Sequence, residues 1–536
     1  IPRMLPYCMK KPLLLILLLL CTALHAGDRR LVRIHLEDPQ EIRELQAMGL
    51  DLASRRSGAF VDAVLSPAEE ADLQSKGFRL EPLGSPAALT KSKTALSGDM
   101  GAYHTWQELG DELAAIAESY PDIMRLTSIG RSVEGREIWA VKLSDHPDLE
   151  EEEEAEVLLT AAIHAREIIT PEILLDLIHH LTTQYGHDSL LTRLVDERQI
   201  WLVPMLNPDG HIRVEDGDIW WRKNCRPNAD GSTGVDLNRN FGHMWGYDDY
   251  GSSPRPKSET YRGAAPFSEP ETAALRDFAA AHHFAAVVNY HSYARAVLLP
   301  WGYIYGNTPH HQVFLELGRN LAAAGGYEYG NWAMGLLYGT NGDADDWFYG
   351  TSPASRPCFS LTIEVGTAFH PPEEEMSQLI AENRPASLYI AFIADKLARN
   401  PWLIVPADSA GSAQTTAVAA AREPGQQPES CTLLQNWPNP FNAATTIRFR
   451  LARAMTVRLT LLDALGRPLR TLLQGFHQAG EHQLRFEAGS LPSGLYFCRL
   501  EESLVSDAAA AGGRGSAASA QASPRQAALL RMLLLR

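Results

Sequence analysis

Two histidines and a glutamate are the first residues whose types and spacing permit chemistry. In His164-Ala165-Arg166-Glu167 an imidazole and a carboxylate stand three positions apart. They follow Val157 to Ile163, an apolar run that reads as a buried strand. Side chains so placed at a strand end come within reach of one metal ion. Alone the motif is weak, because two surface residues at this spacing are commoner. His291 follows a second apolar run, Ala286 to Tyr290, and a single histidine there is more often structural. Together the three offer two nitrogens and one carboxylate, a set that leaves a position open for water on a catalytic zinc.

The elements that must hold these residues run from Tyr103 to about Trp402. Helical stretches (Trp106 to Tyr120, Pro171 to Tyr185) alternate there with apolar strands at Arg136–Leu143, Val157–Ile163, Ile200–Met205, Ala286–Tyr290 and Cys358–Glu364. Near-continuous apolar strands between helices imply an α/β fold with a covered, parallel or mixed central sheet. Ligands then gather beyond the strand ends. Glu150 to Glu154 is an acidic run read as a solvated loop.

Upstream, Leu31–Leu36 and Phe60–Leu65 read as strands and Glu41–Met48 as an amphipathic helix, with Ser66 as the cap of another. This small α+β unit is propeptide-like by position, although it suits a binding module equally. Met9-Lys10-Lys11 and the apolar run from Leu13 to Leu20 read as a signal peptide. The run is too short for a membrane span, so none is expected. Cleavage fits after Ala26, and a lipoprotein reading at Cys21 is weakened by Leu20 before it. The true start is expected at Met9.

Composition narrows the partners. The 536 residues carry 48 Lys and Arg against 65 Asp and Glu, a net charge of −17. That balance argues against nucleic acid and anionic membranes as partners. Six cysteines in this length do not make a disulfide scaffold. In an oxidising compartment Cys225–Cys358 and Cys431–Cys498 are the pairs to expect, one of three possible pairings once the leader is gone. Ala407–Ser430 reads as a linker, several alternating strands after it as a small β domain, and Ala508–Gln526 as low complexity. The expected divisions are a signal region 1–26, a propeptide-like unit 27–98, a catalytic domain 99–402, a linker 403–430 and a β-sandwich 431–536.

The surrounding residues resemble a known family. Ile129-Gly130-Arg131-Ser132-Val133-Glu134-Gly135-Arg136, Asn207-Pro208-Asp209-Gly210, Trp221-Arg222-Lys223-Asn224 and Gly234-Val235-Asp236-Leu237-Asn238-Arg239-Asn240-Phe241 match the zinc metallocarboxypeptidases of the carboxypeptidase A/B/T type. Glu259-Thr260-Tyr261-Arg262-Gly263, Tyr338 before Asp346-Trp347, and Thr362-Ile363-Glu364 continue the match. The resemblance implies His164, Glu167 and His291 as ligands of one zinc, a coordination for which carboxypeptidase A is a standard example. It implies Glu364 as the carboxylate that takes a proton from water on the zinc and passes it to the leaving amine. Arg222 would stabilise the oxyanion, Asn238 and Arg239 would grip the terminal carboxylate, and Tyr338 would close over it. Arg166 would line an outer subsite, or serve equally as a salt-bridge former. Asp345, just before Asp346-Trp347, resembles the pocket acid of carboxypeptidase B and implies basic C-terminal residues, with dual specificity as the fallback. The partners implied are peptide and protein C-termini.

Two rival readings remain: a peptide- or glycan-binding protein without catalysis, and an amidase for cell-wall peptides or acyl-amino acids. Filled catalytic positions oppose the first; Asn238, Arg239 and Tyr338 oppose the second. In the tail, Leu434-Gln435-Asn436-Trp437-Pro438-Asn439-Pro440-Phe441-Asn442, Leu465-Gly466-Arg467, Gly480-Glu481-His482 and Leu491 to Phe497 resemble sorting domains of type IX secretion. That resemblance implies secretion machinery as a partner and a secreted or cell-surface location. The alternative is a plain immunoglobulin-like accessory module.

Overall fold

The computed structural model describes residues 29–83, 100–405, 431–502 and 527–534, apart from 39–40, 57–59, 438–440, 452, 463–467, 490 and 492–493. The expected signal peptide, most of the linker, the low-complexity segment and parts of the tail motifs lie outside the described residues.

Alternating apolar residues build the first unit. Strands β1 (Arg30–His35), β2 (Asp51–Arg56), β3 (Phe60–Leu65) and β4 (Arg79–Pro82) form an antiparallel sheet in the order β2-β3-β1-β4. Helices Glu41–Met48 and Pro67–Ser75 bury Leu45 and Leu73 against Val32, Ile34 and Val61. Ser66 and Glu69 make a reciprocal capping box at the second helix. Strand β2 lies on the sheet's edge, and a bulge at Ala53 interrupts its register with β3.

The large sheet comprises β5 (Met124–Arg131), β6 (Glu137–Leu143), β7 (Ala155–Thr160), β8 (Arg198–Val203), β9 (Phe284–His291), β10 (Ala296–Leu298), β11 (Glu328–Gly330) and β12 (Phe359–Glu364). Its order is β11-β10-β12-β9-β7-β8-β6-β5. The middle four, β8-β7-β9-β12, are parallel, and antiparallel pairings flank them. All six residues of β7 are buried, which their apolar run requires of a strand covered on both faces. Val157 and Leu159 pack towards helices Trp106–Ser119, Ile169–Gln184, His311–Ala322 and Glu373–Arg399. Leu158 packs on the other face, towards helices Pro270–Ala280 and Ala344–Thr351. This is the mixed α/β sheet expected.

Further along the chain, β13 (Cys431–Trp437), β14 (Ala444–Leu451) and β17 (Gly480–Glu487) form a three-stranded sheet. Strands β16 (Pro468–His477), β15 (Met455–Leu462), β18 (Gly494–Glu502) and β19 (Ala527–Leu534) form a four-stranded one, and the two share one core. The tail is thus β-rich, as its alternation predicts. The disulfide expectation fails: Cys225, Cys358 and Cys498 are free. Cys358 packs beside Trp201 and Phe284 in the core, and the Cys498 sulfur lies 3.7 Å from that of Met532. No described helix is long and apolar enough to cross a membrane.

Candidate active site

Parallel strands deliver their C-terminal ends to one place. Strand β7 ends at Thr160, earlier than the apolar run predicts, and the chain turns before His164. The cause lies in Ala162, which takes a left-handed φ of 48° and donates its N–H to the Thr170 hydroxyl at 3.0 Å. That turn lets His164 and Glu167 point the same way. His291 is itself the last residue of β9, and Glu364 ends β12 directly beside it in parallel register.

The three candidate ligands converge. His164 Nδ1 lies 2.8 Å from Glu167 Oε1, and His291 Nδ1 lies 3.1 Å from Glu167 Oε2. The two Nδ1 atoms are 3.1 Å apart, and each residue is at most 3% exposed. Two ring nitrogens and a carboxylate facing each other within 4.8 Å suit a single divalent cation that accepts all three lone pairs. Burial would raise the Glu167 pKa, but His164 and His291 outweigh it and hold the carboxyl well below its usual range. Burial lowers the pKa of His164, and Arg222 adds to that, which favours the neutral ring a metal needs.

Asp236 is the residue that sequence reasoning missed. It is fully buried, and its Oδ1 lies 3.2 Å from His164 Nε2. Its Oδ2 accepts from Arg222 Nε and Nη2 at 3.2 and 3.0 Å, and Oδ1 also accepts the Asn238 N–H at 3.0 Å. Burial works against its charge, yet Arg222 and Arg239 lower its pKa well below the ordinary value. One carboxylate therefore orients a candidate ligand, Arg222 and the turn bearing Asn238 and Arg239. Asp236 stood inside a matched stretch, but only its acid type hinted at the role.

Beside it, Arg239 Nη1 donates to the Asn238 carbonyl at 2.7 Å while its Nε has no partner. Asn238 Oδ1 accepts the Ala344 N–H at 3.0 Å. Gly342 backs this wall with φ +69°, and a Cβ there would meet the Arg239 carbonyl at 2.6 Å. Glu364 Oε2 is buried without a partner. Burial pushes the Glu364 pKa up to about 7, with Glu167 and Asp345 adding and His291 and Arg222 opposing.

Asp345 lines the same cleft. Its Oδ1 accepts from Asn289 Nδ2 at 2.7 Å and Ser360 at 2.8 Å, and its Oδ2 from Thr362 at 2.8 Å. Burial, then Asp343, pushes its pKa up to about 6. Asp346 instead accepts the Gly302 and Tyr303 N–H groups, a structural use. The cleft collects every predicted site residue except Arg166. Arg166 lies fully buried beneath the N-terminal unit, bidentate to Asp51. Tyr338 donates its hydroxyl to the Leu52 carbonyl at 2.8 Å, and Ala53 also lines the cleft.

A cleft with these groups defines a metal-dependent hydrolase. Residues 110–386 match the zinc carboxypeptidase family, and residues 435–506 match the secretion system C-terminal sorting domain. The chain is 31% identical over 377 residues to a zinc carboxypeptidase of Saccharothrix mutabilis subsp. capreolus, covering 64% of this chain and 85% of that one. It is 28% identical over 416 residues to carboxypeptidase B of Bos taurus, covering 70% and 97%. In fold it resembles the crystal structure of carboxypeptidase A from Helicoverpa armigera (TM-score 0.61, 23% identity, 69% of this chain and 98% of that one). The chain belongs to the zinc carboxypeptidase family and is a metallocarboxypeptidase.

The hub role of Asp236 is testable. Asp236→Asn should weaken zinc retention by roughly 10- to 100-fold, because it removes the charge that orients His164. Competition with a chelator of known affinity measures this, and unchanged zinc affinity would show that His164 is held by other means.

Proposed function

We propose that this protein is an exported exopeptidase that removes C-terminal residues, Lys and Arg foremost, from peptides and proteins once its N-terminal unit has been cut away. The observation carrying the reading is the junction of a carboxylate-gripping wall, Asn238 and Arg239, with His164, Glu167, His291 and Glu364 in one cleft. A free C-terminus has the charge that wall suits; an internal peptide bond does not. The sorting-domain match at residues 435–506 supports export through secretion machinery to the surface or medium.

In this reading His164, Glu167 and His291 would hold a zinc, which would supply Lewis acidity towards the scissile carbonyl and ease deprotonation of the attacking water. The Arg239 guanidinium and the Asn238 amide hold the terminal carboxylate and so fix which bond is cut. Glu364 accepts the proton of the attacking water and delivers it to the departing amine; a pKa near 7 suits both halves of that transfer. Arg222, kept ionised and aligned by Asp236, faces the oxygen that gains charge. Tyr338, released from Leu52, is free to cover the bound end.

Asp345 supports the basic preference, for a narrower reason than cost of burial. Three neutral donors already satisfy it, so an apolar substrate residue would not strand its charge. The preference rests on attraction alone, about 1.5 kcal/mol or roughly tenfold. A panel of short peptides ending in Arg, Lys, Phe or an amide should give Arg and Lys about tenfold over Phe, with the amide inert. The preference should fade as pH falls through about 6, where Asp345 takes up a proton, and Asp345→Ala should abolish it. A wild type preferring Phe would reject the pocket assignment; turnover of the amide would reject carboxypeptidase action.

The N-terminal unit supports latency. Its Asp51, Leu52 and Ala53 occupy Arg166, Tyr338 and the cleft in succession. Further contacts brace it: Arg29 with Glu259 at 3.0 Å, and Arg255 with the Ala47 carbonyl at 2.7 Å. Cutting the chain between residues 83 and 100 should raise kcat/KM at least tenfold. Asp51→Ala should partly unlock the uncut chain, since breaking a buried ion pair costs about 3–5 kcal/mol. Equal rates before and after cutting would exclude a capping role.

A further inference from the structure

A closed polar relay lies inside the apolar sheet, beneath Asp345. Thr160 pairs with Asn289 across β7 and β9, and Asn289 with Thr362 across β9 and β12. With Ser360 these side chains are all buried. The Thr160 hydroxyl donates to Asn289 Oδ1 at 2.7 Å. Asn289 Nδ2 donates to Asp345 Oδ1 at 2.7 Å and to the Ser360 hydroxyl at 3.3 Å. Ser360 donates in turn to Asp345 Oδ1, and Thr362 to Oδ2, each at 2.8 Å. Polar side chains buried in a sheet are costly unless bonded, and here each is bonded to the next.

We propose that Asn289, oriented by Thr160, is the positioning residue for basic specificity: it holds Asp345 Oδ1 into the sheet and leaves Oδ2 for the cation of a substrate's C-terminal side chain. The inference rests on the pocket reading of Asp345 and deepens it by adding a residue that touches no substrate.

Placement and direction set Asn289 apart from the other donors. Thr362 lines the cleft, whereas Asn289 and Ser360 lie behind its lining. Oδ1 is therefore held twice from behind, and Oδ2 is the oxygen nearer the cleft. A hydroxyl can donate or accept, so Ser360 and Thr362 suit a protonated Asp345 as well as an ionised one. The Asn289 amide lacks that freedom. Thr160 occupies its oxygen, so it offers Asp345 only N–H groups. A donor that cannot switch favours the charged carboxylate. The charge needs that support. Asp343 and Asp346 stand on the same helix, Ala344–Thr351 or its cap, and the other titratable neighbours are His291 of β9, Glu364 of β12 and Cys358 just before β12. Burial and Asp343 favour a proton on Asp345, and the bonds from Ser360, Thr362 and Asn289 oppose them.

The test uses the zinc-loaded full chain, activated by cutting between residues 83 and 100, on short peptides that differ only in a final Arg, Lys or Phe. Asn289→Leu keeps the size of the side chain and removes its donor. At about pH 7 it should lower the Arg-over-Phe ratio in kcat/KM from about ten to about two, through KM for Arg and Lys, with Phe turnover within about threefold of wild type. Losing a donor to the charged form raises the pKa of Asp345, so the preference should return by about pH 9 rather than vanish. Asp345→Ala should show no such return. Thr160→Val, which frees the amide to turn its oxygen towards Asp345, should move the ratio the same way, and Thr160→Ser should restore it. Should Asn289→Leu fail to fold, the Thr160 pair decides alone. An unchanged ratio in Asn289→Leu or Thr160→Val overturns the inference, as does an equal loss on Arg, Lys and Phe peptides, which would mark a merely structural role. Either result leaves the pocket reading intact if wild type prefers basic ends. A wild type without that preference rejects the pocket reading and the inference with it.

Discussion

Asp236 stays ionised at full burial because Arg222, His164 and the Asn238 N–H surround it. An isolated carboxylate in such a place would take up a proton, and its neighbours would lose their anchor. Its charge keeps Arg222 aimed and ionised, and fixes the ring of His164 so that Nδ1 faces Glu167. It also sets the turn from which Asn238 and Arg239 reach the cleft. The candidate metal ligand His164, Arg222 and the turn bearing Asn238 and Arg239 therefore share one buried anion. The strands' contribution is rigidity: β7, β9 and β12 are hydrogen-bonded neighbours, so His291 and Glu364 hold their spacing without help from loops.

The N-terminal unit uses the same chemistry in reverse. Its edge strand offers an aspartate to Arg166 and a carbonyl to Tyr338. An edge strand is suited to this, having unpaired backbone groups on one side. The N-terminal unit contacts Arg166 and Tyr338 rather than His164, Glu167 or His291, so these three converge with that unit in place.

The large sheet was legible because β7, β8, β9 and β12 are unbroken apolar runs, and the candidate ligands stood at or just beyond the ends of β7 and β9. Less of the surroundings was. Asp-Leu-Ala-Ser-Arg-Arg carries no strand signal, yet β2 forms because β3 offers it an edge. The Asp51–Arg166 pair spans 115 positions, a distance no local pattern reaches. The early end of β7 depends on a hydroxyl from the following helix. Asp345 lines the cleft, but its three donors come from β9 and β12, so its satisfied state was invisible in the sequence. The cysteine pairing failed because even counts carry no geometry, and burial in an apolar core suits a free thiol.

The most direct measurement pairs zinc content with turnover in the trimmed Glu364→Gln protein. Glutamine keeps the size and polarity of the side chain but cannot accept the proton of the attacking water. The account predicts about one zinc per chain and a kcat lower by roughly 100-fold or more. Wild-type turnover in that variant would contradict it.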